Sequence, residues 1–152
     1  MSDATSEGCG CPPTAPPAPG GGGVHHVILT VNDFARSRRF YAALMPRVGY
    51  PAVWEYGGVS VGWLSAGGSF WIRPADPRHA GDRFSKDRVG LCEVAFRAES
   101  RAQVDALAVD VESWGGTILD PPREYPQYVP GYYAVFFTDP DGIKLELVHI
   151  PG

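Results

Sequence analysis

Apolar residues become periodic from residue 24, where the pattern predicts a strand and then a helix. Residues 24–31 (VHHVILTV) are rich in β-branched side chains, which favour a strand. Asn32 or Asp33 can cap the following helix, and Pro46 close to Gly49 predicts where that helix ends. The apolar residues that recur at helical spacing are Phe34, Tyr41 and Leu44.

The same order of strand, cap, helix and glycine returns 67 residues later. Residues 91–98 (LCEVAFRA) predict a strand, and Ser100 with Gln103 has the pattern of a capping box. Gly115 and Gly116 predict the end of the second helix. Its apolar positions at helical spacing are Val104, Leu107, Ala108, Val111 and Trp114.

The constant offset, which relates His26 to Glu93 and Gly49 to Gly116, indicates a duplicated unit. Each unit continues with three short predicted strands, so its order is β-α-β-β-β. The predicted strands are 52–56, 59–64 and 69–73 in the first unit and 117–120, 132–138 and 143–149 in the second. We therefore expect one domain over residues 24–152, with module 1 at about 24–75, a linker at about 76–89 and module 2 at about 90–150.

Residues 1–23 differ from the rest of the chain in composition. They contain 6 Gly and 5 Pro and no apolar periodicity, which predicts a disordered tail whose deletion leaves stability unchanged. The spacing of Cys9 and Cys11 is too short for the usual C-x-x-C metal site. Cys92 lies in an apolar run and is predicted to be a buried free thiol. Three cysteines of this kind make no disulfide framework, so a reducing cytoplasm is expected.

Charge and hydropathy exclude two classes of partner. The chain has 13 Lys and Arg against 17 Asp and Glu, so no basic excess attracts nucleic acid or an anionic membrane surface. No apolar run approaches the ~18 residues that a membrane-spanning helix needs. The expected partner is a small molecule.

Two motifs carry a resemblance to a known superfamily. The first is H-x-x-x-x-V-x-D-x-x-R-S-x-x-F-Y at residues 26–41, and the second is D-P-D-G-x-x-x-E at residues 139–146. With the paired βαβββ pattern, they resemble the vicinal-oxygen-chelate superfamily over residues 24–150. That superfamily includes glyoxalase I, extradiol dioxygenases, fosfomycin-resistance enzymes and bleomycin-resistance proteins. The resemblance implies an α+β fold in which two βαβββ modules form a cupped mixed sheet with helices on the outer face, and it implies a homodimer.

Three polar residues are predicted on the sheet faces away from the helices. Strand alternation sends the apolar rows to the helix side and leaves His26, Glu93 and Glu146 on the other side. The resemblance implies that these three are metal ligands, and an imidazole with two carboxylates suits Fe, Mn, Ni, Co or Zn. Position 93 is usually His in the three-ligand enzymes. Trp71, which cannot ligate, occupies the position where four-ligand members have a glutamate.

Each of these residues also has a plainer interpretation. His26 can be an ordinary strand histidine, and Glu146 can be an exposed residue of an edge strand. Glu93 can pair with Arg97 or with another arginine instead of a metal. A carboxylate on the interior of a sheet is nevertheless costly unless it is paired or bound to a metal.

An aromatic substrate pocket is expected beside these residues. Trp71 is a candidate pocket wall, and Arg73 and Arg97 are candidates to hold a carboxylate or enolate. Tyr133 is a further candidate, although alternation leaves open whether its row or the row of Tyr132 faces the pocket. The loop at 124–131 is placed to cover the pocket mouth.

Two function classes follow from the resemblance. In the first, a divalent metal chelates a small oxygenated or aromatic substrate for lyase, isomerase or dioxygenase chemistry, with Glu93 or Glu146 as the proton-transfer base. In the second, a metal-free protein of the bleomycin-resistance type sequesters a small molecule. A purely structural or regulatory module is a third alternative.

Overall fold

The computed structural model describes residues 23–152, so the predicted tail falls outside the described residues except for Gly23. The elements of the first half are β1 (His26–Val31), α1 (Phe34–Arg47), β2 (Ala52–Tyr56), β3 (Ser60–Ser65) and β4 (Gly68–Pro74). Those of the second half are β5 (Val94–Arg97), α2 (Arg101–Asp110), β6 (Thr117–Glu124), β7 (Tyr133–Thr138) and β8 (Lys144–His149). Two short 3-10 helices cover Pro77–His79 and Val111–Trp114.

Both helices begin at the caps that the sequence predicts. The side chain of Asp33 accepts a hydrogen bond from the backbone N–H of Arg36, and Ser100 accepts one from Gln103. These bonds satisfy backbone donors that the first helical turn leaves without partners. Gly115 ends the segment after α2 in the left-handed conformation, with a φ of 96°.

The two halves have the same strand order. The first sheet runs β1-β4-β3-β2 and the second runs β5-β8-β7-β6. In each sheet the strand before the helix pairs in parallel with the last strand of its half, and the other pairs are antiparallel. The predicted α+β fold of two βαβββ units is therefore confirmed.

One apolar core joins the two halves. The helix-side rows of both sheets and the inner faces of α1 and α2 belong to the same cluster of buried residues. Phe70 of the first sheet and Phe96 of the second are in contact, with ring centroids 5.7 Å apart. Each sheet therefore has one face on this shared core and a second face on its far side, which we call the open face.

Polar contacts also tie the first half to the D-P-D-G turn that precedes β8. The buried hydroxyl of Tyr41 donates to Asp139 at 2.9 Å. Asp141 accepts from the backbone N–H of Asn32 at 2.8 Å and pairs with Arg36 at 2.6 Å. The residues of both recognised motifs thus meet at the junction of the halves.

Two strands of the second half differ from the prediction. β5 begins only at Val94, so Glu93 precedes the strand. Cys92 is exposed, and the prediction of a buried thiol is wrong because the predicted strand does not reach it. β6 extends to Glu124 through two prolines that the prediction excludes. It tolerates them because it is an edge strand whose register shifts between Asp120 and Arg123.

Candidate functional site

Glu146 is the central polar residue on the open face of the second sheet. Its side of β8 faces away from the shared core, yet only 2% of the residue is exposed. The hydroxyl of Tyr132 donates to its Oε1 at 2.5 Å. Burial raises the pKa of Glu146, the Tyr132 hydrogen bond acts in the opposite direction, and the nearby charge of Glu93 adds to the rise. The carboxyl of Glu146 therefore has a higher pKa than an ordinary glutamate.

Glu93 lies beside Glu146 and pairs with a lysine. Its Oε2 is 2.6 Å from Nζ of Lys144, and both side chains are partly buried. Glu93 thus pairs with Lys144 and not with an arginine, which is the alternative that the sequence suggests. Lys144 is two residues before Glu146, on the same face of β8. The ammonium of Lys144 also lies 4.4 Å from the centre of the Phe136 ring.

Tyrosines from the loop before β7 cover this face. Tyr125 contacts the rings of Tyr132 and Phe136 edge-on at 6.3 and 5.2 Å, and it stacks on Tyr128 at 5.9 Å. Tyr125, Ala134, Phe136 and Val148 form a small buried cluster separate from the main core. The predicted covering role of loop 124–131 fits this arrangement, because Tyr125 belongs to that loop.

The structure decides which tyrosine row faces Glu146. Tyr132 and Phe136 share the face of Glu146, and Phe136 is its direct partner across the strand pair. Tyr133, the tyrosine that the sequence analysis favours, is on the helix side, where its hydroxyl donates to Asp105 of α2 at 2.7 Å. Alternation leaves the rows of Tyr132 and Tyr133 as alternatives, and the structure places Tyr132 beside Glu146.

Trp71 occupies the position in the first sheet that Glu146 occupies in the second. Trp71 pairs with Ile28, and Glu146 pairs with Ala95, the residue 67 positions after Ile28. Both side chains are almost fully buried on their open faces, at 3% and 2% exposure. The indole N–H of Trp71 donates to Ser69 at 2.8 Å. Register therefore makes Trp71 and Glu146 equivalent positions of the two sheets.

Trp71 fits because its cross-strand neighbour has no side chain. Gly62 of β3 lies opposite Trp71, and a Cβ added there would come within 2.3 Å of the indole ring. In the second sheet the residue opposite Glu146 is the large Phe136. In the first sheet the larger residue of this pair, Trp71, is on the last strand of its half. In the second sheet the larger residue, Phe136, is on the neighbouring strand instead.

The remaining predicted residues lie at the edges of these faces. His26, at the start of β1, is exposed, and its Nδ1 is 2.8 Å from Nδ1 of His25. Arg73 and Arg97 are exposed near the ends of β4 and β5, on the open faces of their sheets. The structure therefore brings Glu93 and Glu146 together at the second sheet and leaves His26 and Arg73 on the first sheet.

The metal set does not assemble in one chain. Within residues 23–152, no three His, Cys, Asp or Glu side chains are placed to share an ion. Lys144 also holds the carboxylate of Glu93, and an ammonium beside a ligand oxygen opposes a bound cation. One chain by itself consequently does not fit a divalent metal held by His26, Glu93 and Glu146.

Comparison with known families shows which family the chain belongs to. The model of the Glyoxalase/Bleomycin resistance protein/Dioxygenase superfamily matches residues 23–147. The chain belongs to this superfamily. It is 35% identical over 127 residues to the uncharacterized protein YqjT of Bacillus subtilis strain 168, which covers 82% of this chain and 97% of that protein.

Solved structures of the superfamily have the same fold. A glyoxalase/bleomycin resistance protein from Albidiferax ferrireducens T118 is 26% identical, with a TM-score of 0.71 over 84% of this chain and 98% of that one. A glyoxylase/bleomycin resistance protein/dioxygenase domain from Frankia sp. EAN1pec is 28% identical, with a TM-score of 0.67 over 86% and 98%. The fosfomycin resistance protein FosX of Listeria monocytogenes, at 20% identity and a TM-score of 0.60 over 86% and 94%, shows the fold alone.

Among residues 23–152, no helix has the length and apolar character to cross a membrane.

Proposed function

We propose that this protein is a glyoxalase-like enzyme that binds a small oxygenated or aromatic substrate on its open faces, with Glu146 as the proton-transfer group. The observation that carries the proposal is the burial of Glu146 on a face that the core does not use. Burying a carboxylate is costly, and such groups are frequent where a protein moves protons. Tyr132 orients the carboxylate by donating to one oxygen and leaves the other oxygen to take or give a proton.

The surroundings of Glu146 support this role. A carboxyl whose pKa is raised by burial is a stronger base once ionised and keeps its proton to a higher pH than an ordinary glutamate. The Lys144 ammonium, which lies beside Glu93, supplies positive charge that stabilises an enolate or a related anion on the same face. The aromatic rings of Tyr125, Tyr132 and Phe136 provide an apolar wall for the substrate.

Solvent-proton exchange into bound small molecules tests the proton-transfer role. A panel of 2-oxoaldehyde thiol adducts, α-hydroxyketones and catechols is screened by thermal shift, and those that bind are followed by NMR in D2O. We expect Glu146→Gln to bind a hit with similar affinity but to lose exchange by at least about 100-fold. Glu112→Gln, at an exposed position, is the matched control. Equal exchange in the two variants would contradict the assignment of Glu146.

A metal centre between two copies is a second candidate, and the donor chemistry of the open faces favours it. His26 of one copy would join Glu93 and Glu146 of the other, once Lys144 releases Glu93. The exposed aromatic residues Trp54 and Tyr56 on the open face of the first sheet give that face the apolar surface that a homodimer would cover. This arrangement also accounts for the lack of a three-ligand group within one described chain.

Metal-dependent stabilisation and complementation test that centre together. Mn2+, Ni2+ or Zn2+ should raise Tm of the wild type, His26→Ala and Glu146→Ala should abolish the rise, and Glu93→His should keep or strengthen it. Mixing His26→Ala with Glu146→Ala chains should restore one of the two sites in each mixed dimer if two copies share each site. A rise in the wild type without restoration on mixing would contradict the shared site.

Two observations favour a metal-free ligand-binding protein as the remaining candidate. Trp71, which cannot bind a metal ion, occupies the position equivalent to Glu146, and Lys144 pairs with Glu93. Such a protein would bind an aromatic compound against the open face of the first sheet, beside Trp71. Titration of the tryptophan fluorescence with the same panel in the presence of EDTA, compared between the wild type and Trp71→Phe, measures this. Binding without proton exchange and without metal-dependent stabilisation would favour it over both enzyme versions.

A further inference from the structure

A cavity of about 390 Å3 lies at the junction of the two halves, apart from the Glu146 cluster. Its walls come from the ends of β1 and β4, the segment after β4 and the turn before β8. The lining includes Asn32, Arg73, Asp76, Asp82, Arg83, Phe84 and Asp141. Its volume lies within the range of about 300–1,000 Å3 that is usual for small-molecule sites.

Hydrogen bonds hold the walls of this cavity together. The side-chain amide of Asn32 donates to the carbonyl of Asp82 at 2.8 Å and accepts from the N–H of Gly81 at 3.1 Å. The backbone N–H of Asn32 donates to Asp141 at 2.8 Å. One residue therefore connects β1, the segment after β4 and the turn before β8. A cavity whose walls are connected in this way is largely formed before a ligand arrives.

Every carboxylate in the lining already has a partner. Asp76 accepts two hydrogen bonds from the Arg78 side chain at 3.0 Å, Asp82 is 3.0 Å from His79, and Asp141 pairs with Arg36 at 2.6 Å. The Asp141 side chain is only 7% exposed. The negative charges of the wall are therefore largely compensated by groups of the protein itself.

The guanidinium groups of Arg73 and Arg83, unlike these carboxylates, have no partner among the described residues. Within residues 23–152, neither group makes a hydrogen bond, an ion pair or a ring contact. Each offers five N–H donors in a planar fork, a geometry that matches carboxylate and phosphate oxygens. Phe84, which is half-buried, adds an apolar surface to the same cavity.

We propose that the junction cavity is a binding site for a small organic anion bearing a carboxylate or phosphate group, held by Arg73 and Arg83. The carbon skeleton of the anion lies against Phe84, and its charged group meets the two free guanidinium groups. The site is distinct from the Glu146 face and does not depend on the proposed enzymatic function. It would give this chain a second small-molecule ligand, which links the two halves through the segment between them.

Two-dimensional amide NMR of the full chain tests the site, with inorganic phosphate and malonate as separate probes at constant ionic strength. Saturable shifts centred on Gly81 and Ala75 are expected for at least one probe. The probe that saturates at lower concentration identifies phosphate or carboxylate as the preferred group. Arg73→Gln and Arg83→Gln should each weaken binding at least about tenfold, since a charge-assisted hydrogen bond is lost. Asn32→Ala should also weaken binding without a change of charge.

Arg39→Gln is the matched control, because Arg39 is an exposed arginine of α1 that does not line the cavity. It removes the same charge and should leave the affinity within about twofold. The proposal is overturned if Arg73→Gln and Arg83→Gln behave like this control, if neither probe saturates, or if the shifts centre on Glu146 and Tyr132. In the last case the anion binds to the open face.

Discussion

The open faces of the two sheets have the same hydrogen-bonding register but different chemistry. At equivalent positions the first sheet buries Trp71 against Gly62, and the second buries Glu146 beside Phe136. The first face is therefore suited to stacking, whereas the second contains an ionisable cluster of Glu93, Lys144, Glu146 and Tyr132. The comparison teaches that a duplicated fold keeps its backbone register while the chemistry of its two open faces differs.

Removing Trp71 should have the largest effect on stability. Trp71→Ala empties a nearly fully buried site, so we expect the free energy of unfolding to fall by about 3 kcal/mol. Urea denaturation measures the loss. Trp54→Ala is the matched control, since Trp54 is on the same face but 46% exposed, and it should cost less than about 1 kcal/mol. Equal losses would mean that Trp71 is not a packed part of the face.

Adding a methyl group opposite Trp71 should have the next largest effect. Gly62→Ala forces the indole ring to move, so we expect a loss of about 1–3 kcal/mol. Gly67→Ala is the control, because its Cβ would meet only Ser65 at 4.0 Å. In the Trp71→Ala background the cost of Gly62→Ala should largely disappear. An additive double variant would rule out the packing of Trp71 on Gly62 as the cause.

The pH dependence of stability should distinguish the two faces. Because folding raises the pKa of Glu146 above its ordinary value of about 4.5, the folded chain binds more protons between the two pKa values. The wild type therefore loses stability as pH rises through that window, with a slope of at most about 1.4 kcal/mol per pH unit. Glu146→Gln should lack this loss, so its stability relative to the wild type should increase from pH 4.5 to pH 8.

Asp139 also makes stability fall as pH rises, but it does not affect the comparison between the wild type and Glu146→Gln. Burial raises its pKa to about 6, against the effect of hydrogen bonds from Ile143 and Tyr41. Both proteins retain Asp139, so the difference between their unfolding curves isolates Glu146. Glu112→Gln, which is exposed, should show no such difference. A pH-independent difference for Glu146→Gln would contradict the raised pKa.

Removing the hydroxyl of Tyr132 should have the smallest effect, because it changes only the pKa of Glu146. Its hydrogen bond favours the ionised form of Glu146, so Tyr132→Phe should raise the pKa of Glu146 further. Side-chain carboxyl 13C shifts measured across a pH titration follow this group directly. Tyr128→Phe, which removes a neighbouring hydroxyl in the same aromatic cluster, should leave the Glu146 titration unchanged. A lowered pKa in Tyr132→Phe would reverse the assigned role of the hydrogen bond.

Local patterns in the sequence predict much of the fold. The helix caps at Asp33 and Ser100 and the offset between the halves follow from spacings within short segments. Alternation also predicts that His26, Trp71 and Glu146 lie on the faces away from the helices, because a strand places successive side chains on opposite sides. These features depend on backbone geometry over a few residues, and the sequence contains that information.

The partners of the candidate residues depend on the tertiary structure. Alternation does not reveal that Tyr132 rather than Tyr133 faces Glu146, or that Lys144 pairs with Glu93. It likewise leaves open where β5 begins and whether His26 reaches the two glutamates. Strand periodicity determines the face on which a side chain lies. The packing of the two sheets on one shared core determines the distances between faces, and that packing results from contacts between residues far apart in the chain.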